Sequence, residues 1–193
     1  MSRDARAVVV EPDAAYALWA ATYPPEAHTP LMRVEERTVR ALLPDLVGAA
    51  LIDVGCGSGR YLEIARRAGA GRLIGIDPSR AMLDRVRVPG ARLARGSVEA
   101  LPVSAATADV AICALTLGHV SSLRRAFAEL ARVTRPGGVL VCSELHPIGA
   151  SLGVSMAGLY DPATKGLKMQ GVVSPIYLLN GIGSIFSQRG EGL

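Results

Sequence analysis

Leu51-Ile52-Asp53-Val54-Gly55-Cys56-Gly57-Ser58-Gly59-Arg60-Tyr61-Leu62-Glu63-Ile64 is an apolar run that breaks into three alternating glycines and resumes as a mixed polar and apolar stretch. The aliphatic residues up to Val54 fit a buried strand, and the residues from Arg60 onward fit a helix. Between them, glycines let the backbone turn sharply and let a ligand approach, while the first turn of the helix offers free N–H groups. The stretch therefore predicts a strand–loop–helix unit built to hold a nucleotide-like ligand. Asp77 follows 22 residues after Gly55, at the end of Leu73-Ile74-Gly75-Ile76, where a carboxylate can accept both hydroxyls of a ribose. A dinucleotide fingerprint would need a third glycine where Arg60 or Leu62 stands, so a nicotinamide cofactor is disfavoured.

Working outward, short aliphatic runs alternate with amphipathic stretches, the pattern of parallel βαβ units. Strands are expected at Ala50–Val54, Arg72–Ile76, Ala91–Ala94, Val110–Leu115 and Val139–Cys142, and helices at Arg60–Ala68, Arg80–Val86 and Leu123–Val133. The last helix carries Leu123, Phe127, Leu130 and Val133 at helical spacing and stops at Arg135-Pro136-Gly137-Gly138. Before the sheet, Asp13–Ala21 and Leu31–Leu43 read as helices closed by Pro24-Pro25 and Pro44. The expected fold is α/β: a doubly wound, Rossmann-like, mostly parallel sheet with helices on both faces and an N-terminal helical lid. Residues 1–147 form its core, with 1–47 as lid and 48–147 as sheet.

The remaining residues, 148–193, differ in kind. Residues 1–164 contain no Lys, Asn or Gln, whereas Lys165, Lys168, Gln170, Asn180 and Gln188 all lie beyond them, among many glycines. Val172-Val173-Ser174-Pro175-Ile176-Tyr177-Leu178-Leu179 fits a strand that Pro175 would confine to an edge. The C-terminal antiparallel strands are thus expected to be missing or atypical, the tail truncated or foreign, and the last edge of the sheet unfinished.

Half of the residues are hydrophobic and a fifth charged, the balance of a globular chain rather than a disordered one. The net charge of +4 is spread over scattered arginines, so nothing calls for nucleic acid as a partner. Cys56, Cys113 and Cys142 show no CxxC pair and no histidine at zinc spacing, so no metal site is expected. The apolar patch Ala7–Val10 is too short for a signal segment or a membrane span, which points to the cytoplasm and away from membranes.

With the loop, the strands and the acid in place, the sequence resembles the class I S-adenosylmethionine-dependent methyltransferases, specifically their type 11 subgroup. Leu51–Gly59 looks like the first motif of that family and Gly75-Ile76-Asp77-Pro78-Ser79-Arg80-Ala81-Met82-Leu83 like its second. Gly96-Ser97-Val98-Glu99-Ala100-Leu101-Pro102 is similar to the adenine-contacting segment, and Arg132-Val133-Thr134-Arg135-Pro136-Gly137-Gly138-Val139-Leu140 to the turn that ends the core. The resemblance spans roughly Ala14 to Pro147. It implies that S-adenosylmethionine is held by Asp53, Gly55, Cys56, Gly57, Asp77, Pro78, Met82, Ser97, Val98 and Ala114. Gly55 and Gly57 would pass beneath the methionine part, Asp77 would hold the ribose, and Met82 would pack by the adenine. Ser97 departs from the family, which usually has an aspartate there to accept from the adenine amino group; a hydroxyl accepts more weakly. Asp53 would orient the loop, or else be satisfied by the loop's own N–H groups.

Methyl transfer is an in-line displacement at an activated carbon, so alignment and exclusion of water are its main demands. The expected reaction moves a methyl group to a small-molecule acceptor. Where the acceptor must lose a proton, the catalytic candidates are His119 after the fourth strand and Glu144 and His146 after the fifth, each with a plainer reading as a polar residue at a strand end. Tyr16, Trp19 and Tyr23 fall at i, i+3 and i+7, placing them on one face as core packing or as an aromatic cover near the cofactor's charge, with His28 a further member of that lid. The alternative is a non-catalytic cofactor-binding or interaction module whose acceptor site is incomplete.

Overall fold

A computed structural model describes residues 12–144 together with strand segments at 160–161, 166–167 and 177–180. In chain order the elements are α1 (Pro12–Trp19), α2 (Pro30–Leu42), β1 (Ala50–Val54), α3 (Arg60–Arg67), β2 (Arg72–Asp77), α4 (Arg80–Leu83), β3 (Arg92–Arg95) and β4 (Ala108–Ala114). A 3-10 turn at Leu117–His119 follows, then α5 (Leu123–Val133), β5 (Thr134–Ser143), β6 (Tyr160–Asp161), β7 (Gly166–Leu167) and β8 (Tyr177–Asn180).

The main sheet runs β3-β2-β1-β4-β5-β8. Its first five strands are parallel, and β8 pairs antiparallel with β5 from Cys142 opposite Tyr177 to Val139 opposite Asn180. The strand order reverses direction at β1, so the crevice between the carboxyl ends of β1 and β4 lies directly above the glycine loop, the place where open α/β sheets bind ligands. Both faces of the sheet are covered. Ile52, Val54, Ala111 and Leu140 pack with Ala126, Leu130 and Val133 of α5 on one side. Leu51, Val110, Ile112 and Val141 pack with Val39 of α2 and Leu62 and Ala65 of α3 on the other. Leu62 and Leu130 are fully buried, each worth about 1.5–3 kcal/mol by removal of its side chain from water.

Local chemistry sets the element ends. Thr29 caps α2, its hydroxyl accepting from the Met32 amide at 3.1 Å, with Pro30 at the first helical position. Ser122 caps α5 in the same way through the Arg125 amide at 3.3 Å. Two expectations need correction. The helix after Asp77 ends at Leu83 rather than Val86, since Asp84 closes it and Arg85 and Val86 continue only as turns. The fifth strand begins at Thr134, because the chain passes directly from α5 into pairing with Ala108 before a register shift near Asp109 lets it realign at Val139.

In the tail the expected edge strand is present in part, while the expectation of an unfinished sheet edge is corrected. An antiparallel strand is present, formed by Tyr177–Asn180 just past Pro175, so the edge of β5 is paired rather than open. The remaining readings of the tail lie outside the described residues.

Candidate functional site

The glycine loop is shaped from below by β2. The amides of Gly55 and Cys56 both donate to the Ile76 carbonyl, at 2.7 and 3.0 Å, and the Gly57 amide donates to Asp77 Oδ2 at 2.8 Å. Asp77 Oδ1 accepts from the Ser79 amide at 2.9 Å. One carboxylate thus fastens the loop to the turn that opens α4.

Gly55 and Gly57 are required for different reasons. Gly55 has φ +75°, and a Cβ there would stand 2.1 Å from Thr116 Oγ1. Gly57 has φ +52°, but a Cβ there would meet nothing within 4 Å. The first glycine makes room for the chain after β4, while the second fronts open space into which a ligand can come. Cys56 contributes backbone: its side chain is buried, and burial pushes its thiol well above the usual range.

Asp53 lies under this loop with 2 % exposure, and its Oδ2 has no hydrogen-bond partner. The Gly55, Cys56 and Gly57 amides are taken by Ile76 and Asp77, so these three do not satisfy it. Burial pushes the Asp53 carboxyl up to about 7, opposed by the positive charge of Arg60 and reinforced by the negative charges of Asp77 and Glu35. A buried carboxylate held in this way is complementary to a cationic group of a ligand.

The adenine-side candidates surround the end of β2 and the start of the following segments. Met82 and Val98 are buried, Pro78 is exposed, and Ala114 ends β4. Ser97 is exposed, and its hydroxyl accepts from the Glu99 amide at 3.2 Å, closing a local turn.

The Tyr16–Pro24 part of the N-terminal lid is fastened at three points. Tyr16 Oη lies 3.2 Å from His119 Nε2, Arg85 donates to the carbonyls of Ala21 and Tyr23, and the Ser58 hydroxyl donates to the Pro24 carbonyl at 3.3 Å. Burial pushes the Tyr16 hydroxyl up to about 12, so it stays protonated at neutral pH. The rings of Tyr16 and Trp19 meet edge to face at 5.6 Å, as do Tyr23 and His28 at 5.1 Å. Trp19 is 56 % exposed, which rules out core packing for that ring. His28 sits with the lid, against Tyr23.

Of the catalytic candidates, His119 is exposed in the 3-10 turn beneath Tyr16. Glu144 follows β5 and accepts from the Gly118 amide at 2.8 Å, so the structure brings His119 and Glu144 to one end of the sheet. His146 lies outside the described residues.

Residues that sequence reasoning missed form a second polar centre. Glu35, 2 % exposed on α2, accepts through Oε1 from Tyr61 Oη at 2.7 Å and from Ser143 Oγ at 2.6 Å. Arg60 Nη2 stands 2.9 Å from Glu35 Oε2, and its guanidinium lies 4.4 Å from the centre of the Tyr61 ring. The signal was there: Met32, Glu35 and Val39 share the buried face of α2 at i, i+3 and i+7, which places a carboxylate among core residues.

Comparison with known proteins agrees with this geometry. A family model described as a methyltransferase domain matches residues 52–142. A malonyl-[acyl-carrier protein] O-methyltransferase of Pectobacterium atrosepticum is 35 % identical over 117 residues, covering 60 % of this chain and 46 % of that protein. One from Serratia marcescens is 38 % identical over 100 residues, covering 51 % and 39 % respectively, so the chain spans less than half the length of these two relatives. Among solved structures, an S-adenosylmethionine-dependent methyltransferase from Mesorhizobium loti superposes with a TM-score of 0.56 at 33 % identity, over 59 % of this chain and 54 % of that one. Residues 52–142 thus match a methyltransferase domain, and the glycine loop, the acid ending β2 and the parallel sheet that carries them are similar to those of S-adenosylmethionine-dependent methyltransferases.

Proposed function

We propose that the chain binds S-adenosylmethionine across the loop Asp53–Gly59 and transfers its methyl group to a small-molecule acceptor. The observation that carries this reading is Asp53, a buried carboxylate with an unpartnered oxygen at the start of the loop whose Gly57 fronts open space. The α-ammonium of the cofactor's methionine part is the kind of cation such a carboxylate receives, and the loop supplies the clearance. When bound, the cofactor supplies a methyl group on a sulfonium centre, already activated toward in-line displacement.

This chain's own residues then bind, orient and exclude water. Asp77 has its Oδ2 on the Gly57 amide and its Oδ1 on the Ser79 amide, and each carboxylate oxygen keeps acceptor capacity for a ribose hydroxyl. Gly55 and Cys56 shape the floor, Met82, Pro78 and Val98 offer apolar surface to the adenine, and Ala114 closes the β4 side. Tyr16 and Tyr23, on the lid, keep water from the reacting end. His119 and Glu144 stand at the carboxyl edge, where an acceptor proton could be taken; His146 is a third candidate for that step.

A second reading, cofactor binding without transfer, draws on Ser97, whose hydroxyl oxygen is already engaged by Glu99 and so offers the adenine amino group little. The names of the two relatives make a malonyl thioester the first acceptor to try. Incubation with methyl-labelled S-adenosylmethionine and malonyl thioesters, alongside a panel of small carboxylic acids and amines, tests the transfer. Label recovered in an acceptor supports it; cofactor binding without label transfer to any of them supports the second reading.

A further inference from the structure

Resting on the cofactor reading, we propose that Glu35 is a positioning residue for the cofactor: by engaging the Arg60 guanidinium it keeps that cation from closing on Asp53, so the buried carboxylate stays free to receive the cofactor's ammonium group. Glu35 has no part in the lid's aromatic cover or in the candidate proton-transfer steps, yet it is 2 % exposed and is contacted from both α3 and β5. Tyr61 and Ser143 both donate to its Oε1, which fixes the carboxylate, and Oε2 is left to face Arg60 Nη2 at 2.9 Å. Arg60 is held from the same side by the Met32 carbonyl and by Glu36 Oε2, at 3.3 and 3.5 Å. All three of these acceptors belong to α2, so the guanidinium is drawn toward the lid helix and away from the floor of the loop.

The charge balance explains why this matters. Glu35, Asp53 and Asp77 are the buried carboxylates of the described residues, and Arg60, with a side chain 13 % exposed, is the cation set among them. Asp53 faces Arg60 from α3, Asp77 from β2 and Glu35 from α2, with the neutral Tyr61, Cys56 and Cys113 also close. A guanidinium released from Glu35 would be drawn toward Asp53, whose Oδ2 lacks a partner and whose carboxyl already feels the Arg60 charge. It would then occupy the place the ammonium needs.

The test is calorimetric titration with S-adenosylhomocysteine, which carries the same ammonium, across about pH 6 to 9, on the unaltered chain, Glu35→Gln and the double variant Glu35→Gln/Arg60→Met. The amide oxygen of the single variant still accepts from Tyr61 and Ser143, so its packing is conserved. The single variant should bind about tenfold more weakly at pH 8. Its binding should also hold to lower pH than that of the unaltered chain, because a released guanidinium keeps Asp53 ionised. The double variant, which removes the competing cation with its partner, should recover to within about threefold of the unaltered chain. A double variant no better than the single one, or a single variant whose pH profile runs parallel to the unaltered chain, overturns the proposal while leaving the cofactor reading intact. Should the single variant fail to fold, the double variant decides alone: binding near that of the unaltered chain supports the proposal and its loss overturns it. An unaltered chain that binds no S-adenosylhomocysteine sinks the cofactor reading, and this inference with it.

Discussion

Asp77 Oδ2 accepts the Gly57 amide at 2.8 Å, so the residue that ends β2 also sets the path of the glycine loop that follows β1. Ligand binding and loop order therefore share one carboxylate. Replacement by Ala removes the anchor of the loop together with the acceptor for the ribose hydroxyls. S-adenosylhomocysteine affinity should fall by about 1.5–3 kcal/mol, the range for loss of hydrogen bonds to a charged group. Titration calorimetry on Asp77→Ala measures this, and an unchanged affinity contradicts the assignment.

The two loop glycines should respond differently to a methyl group. Gly55→Ala drives a Cβ into Thr116 and destabilises the fold by about 2–4 kcal/mol, with strain from the left-handed backbone adding to the clash. Gly57→Ala meets open space, so only the backbone term of about 1–2 kcal/mol remains, while the methyl group intrudes where the ligand passes. Thermal melts should rank Gly55→Ala below Gly57→Ala, and titration should show the latter folded but impaired in binding. Equal melting points would count against this account of the loop.

Asp53 should weaken the fold in exchange for binding. Its carboxyl is raised to about 7 in the folded chain, against about 3.9 when unfolded. Between these values the folded state binds more protons than the unfolded one, so stability falls as pH rises through about 4 to 7 and stays reduced above that. Asp53→Asn should therefore melt higher at pH 8, by about 1–3 kcal/mol in stability, with a flatter dependence across that window. The same variant should lose cofactor affinity. A variant that is less stable at pH 8, or binds as before, contradicts the role assigned to this carboxylate.

Arg85 donates to the carbonyls of Ala21 and Tyr23 and so ties the lid to the turn after α4. Arg85→Ala should loosen the segment between α1 and α2 while leaving the sheet intact. Limited proteolysis should cut faster between Ala20 and Thr29 in the variant, with a global melting point within a few degrees of the unaltered chain. Protection equal to that of the unaltered chain would mean that Tyr16 and Ser58 hold the lid unaided.

Much of this architecture was legible in the sequence because backbone chemistry marks it. Val54 into Gly55, Thr29 into Pro30 and Ser122 into Leu123 each signal an element boundary through a turn or cap whose physics is local. The Asp77 position followed from its spacing, 22 residues after Gly55 at the end of the apolar run Leu73–Ile76. The shorter α4 did not, since its end depends on Asp84 and on packing of Val86 against Gly59. The early start of β5 is set by pairing with Ala108, a partner distant in sequence. The site divides in the same way. Its glycines and Asp77 lie in contiguous motifs, whereas Glu35, Arg60, Tyr61 and Ser143 come from three elements and converge only in space. Spacing placed Glu35 on a buried face but could not name its partners.

Whether the Asp53–Gly59 loop binds S-adenosylmethionine is decided by titration of the purified chain with S-adenosylmethionine, S-adenosylhomocysteine and a nicotinamide dinucleotide. Both sulfur compounds should bind saturably and one to one, with binding abolished or strongly weakened in Asp77→Ala, and the dinucleotide should not bind. Binding of the dinucleotide alone, or no heat from either sulfur compound, would contradict that reading.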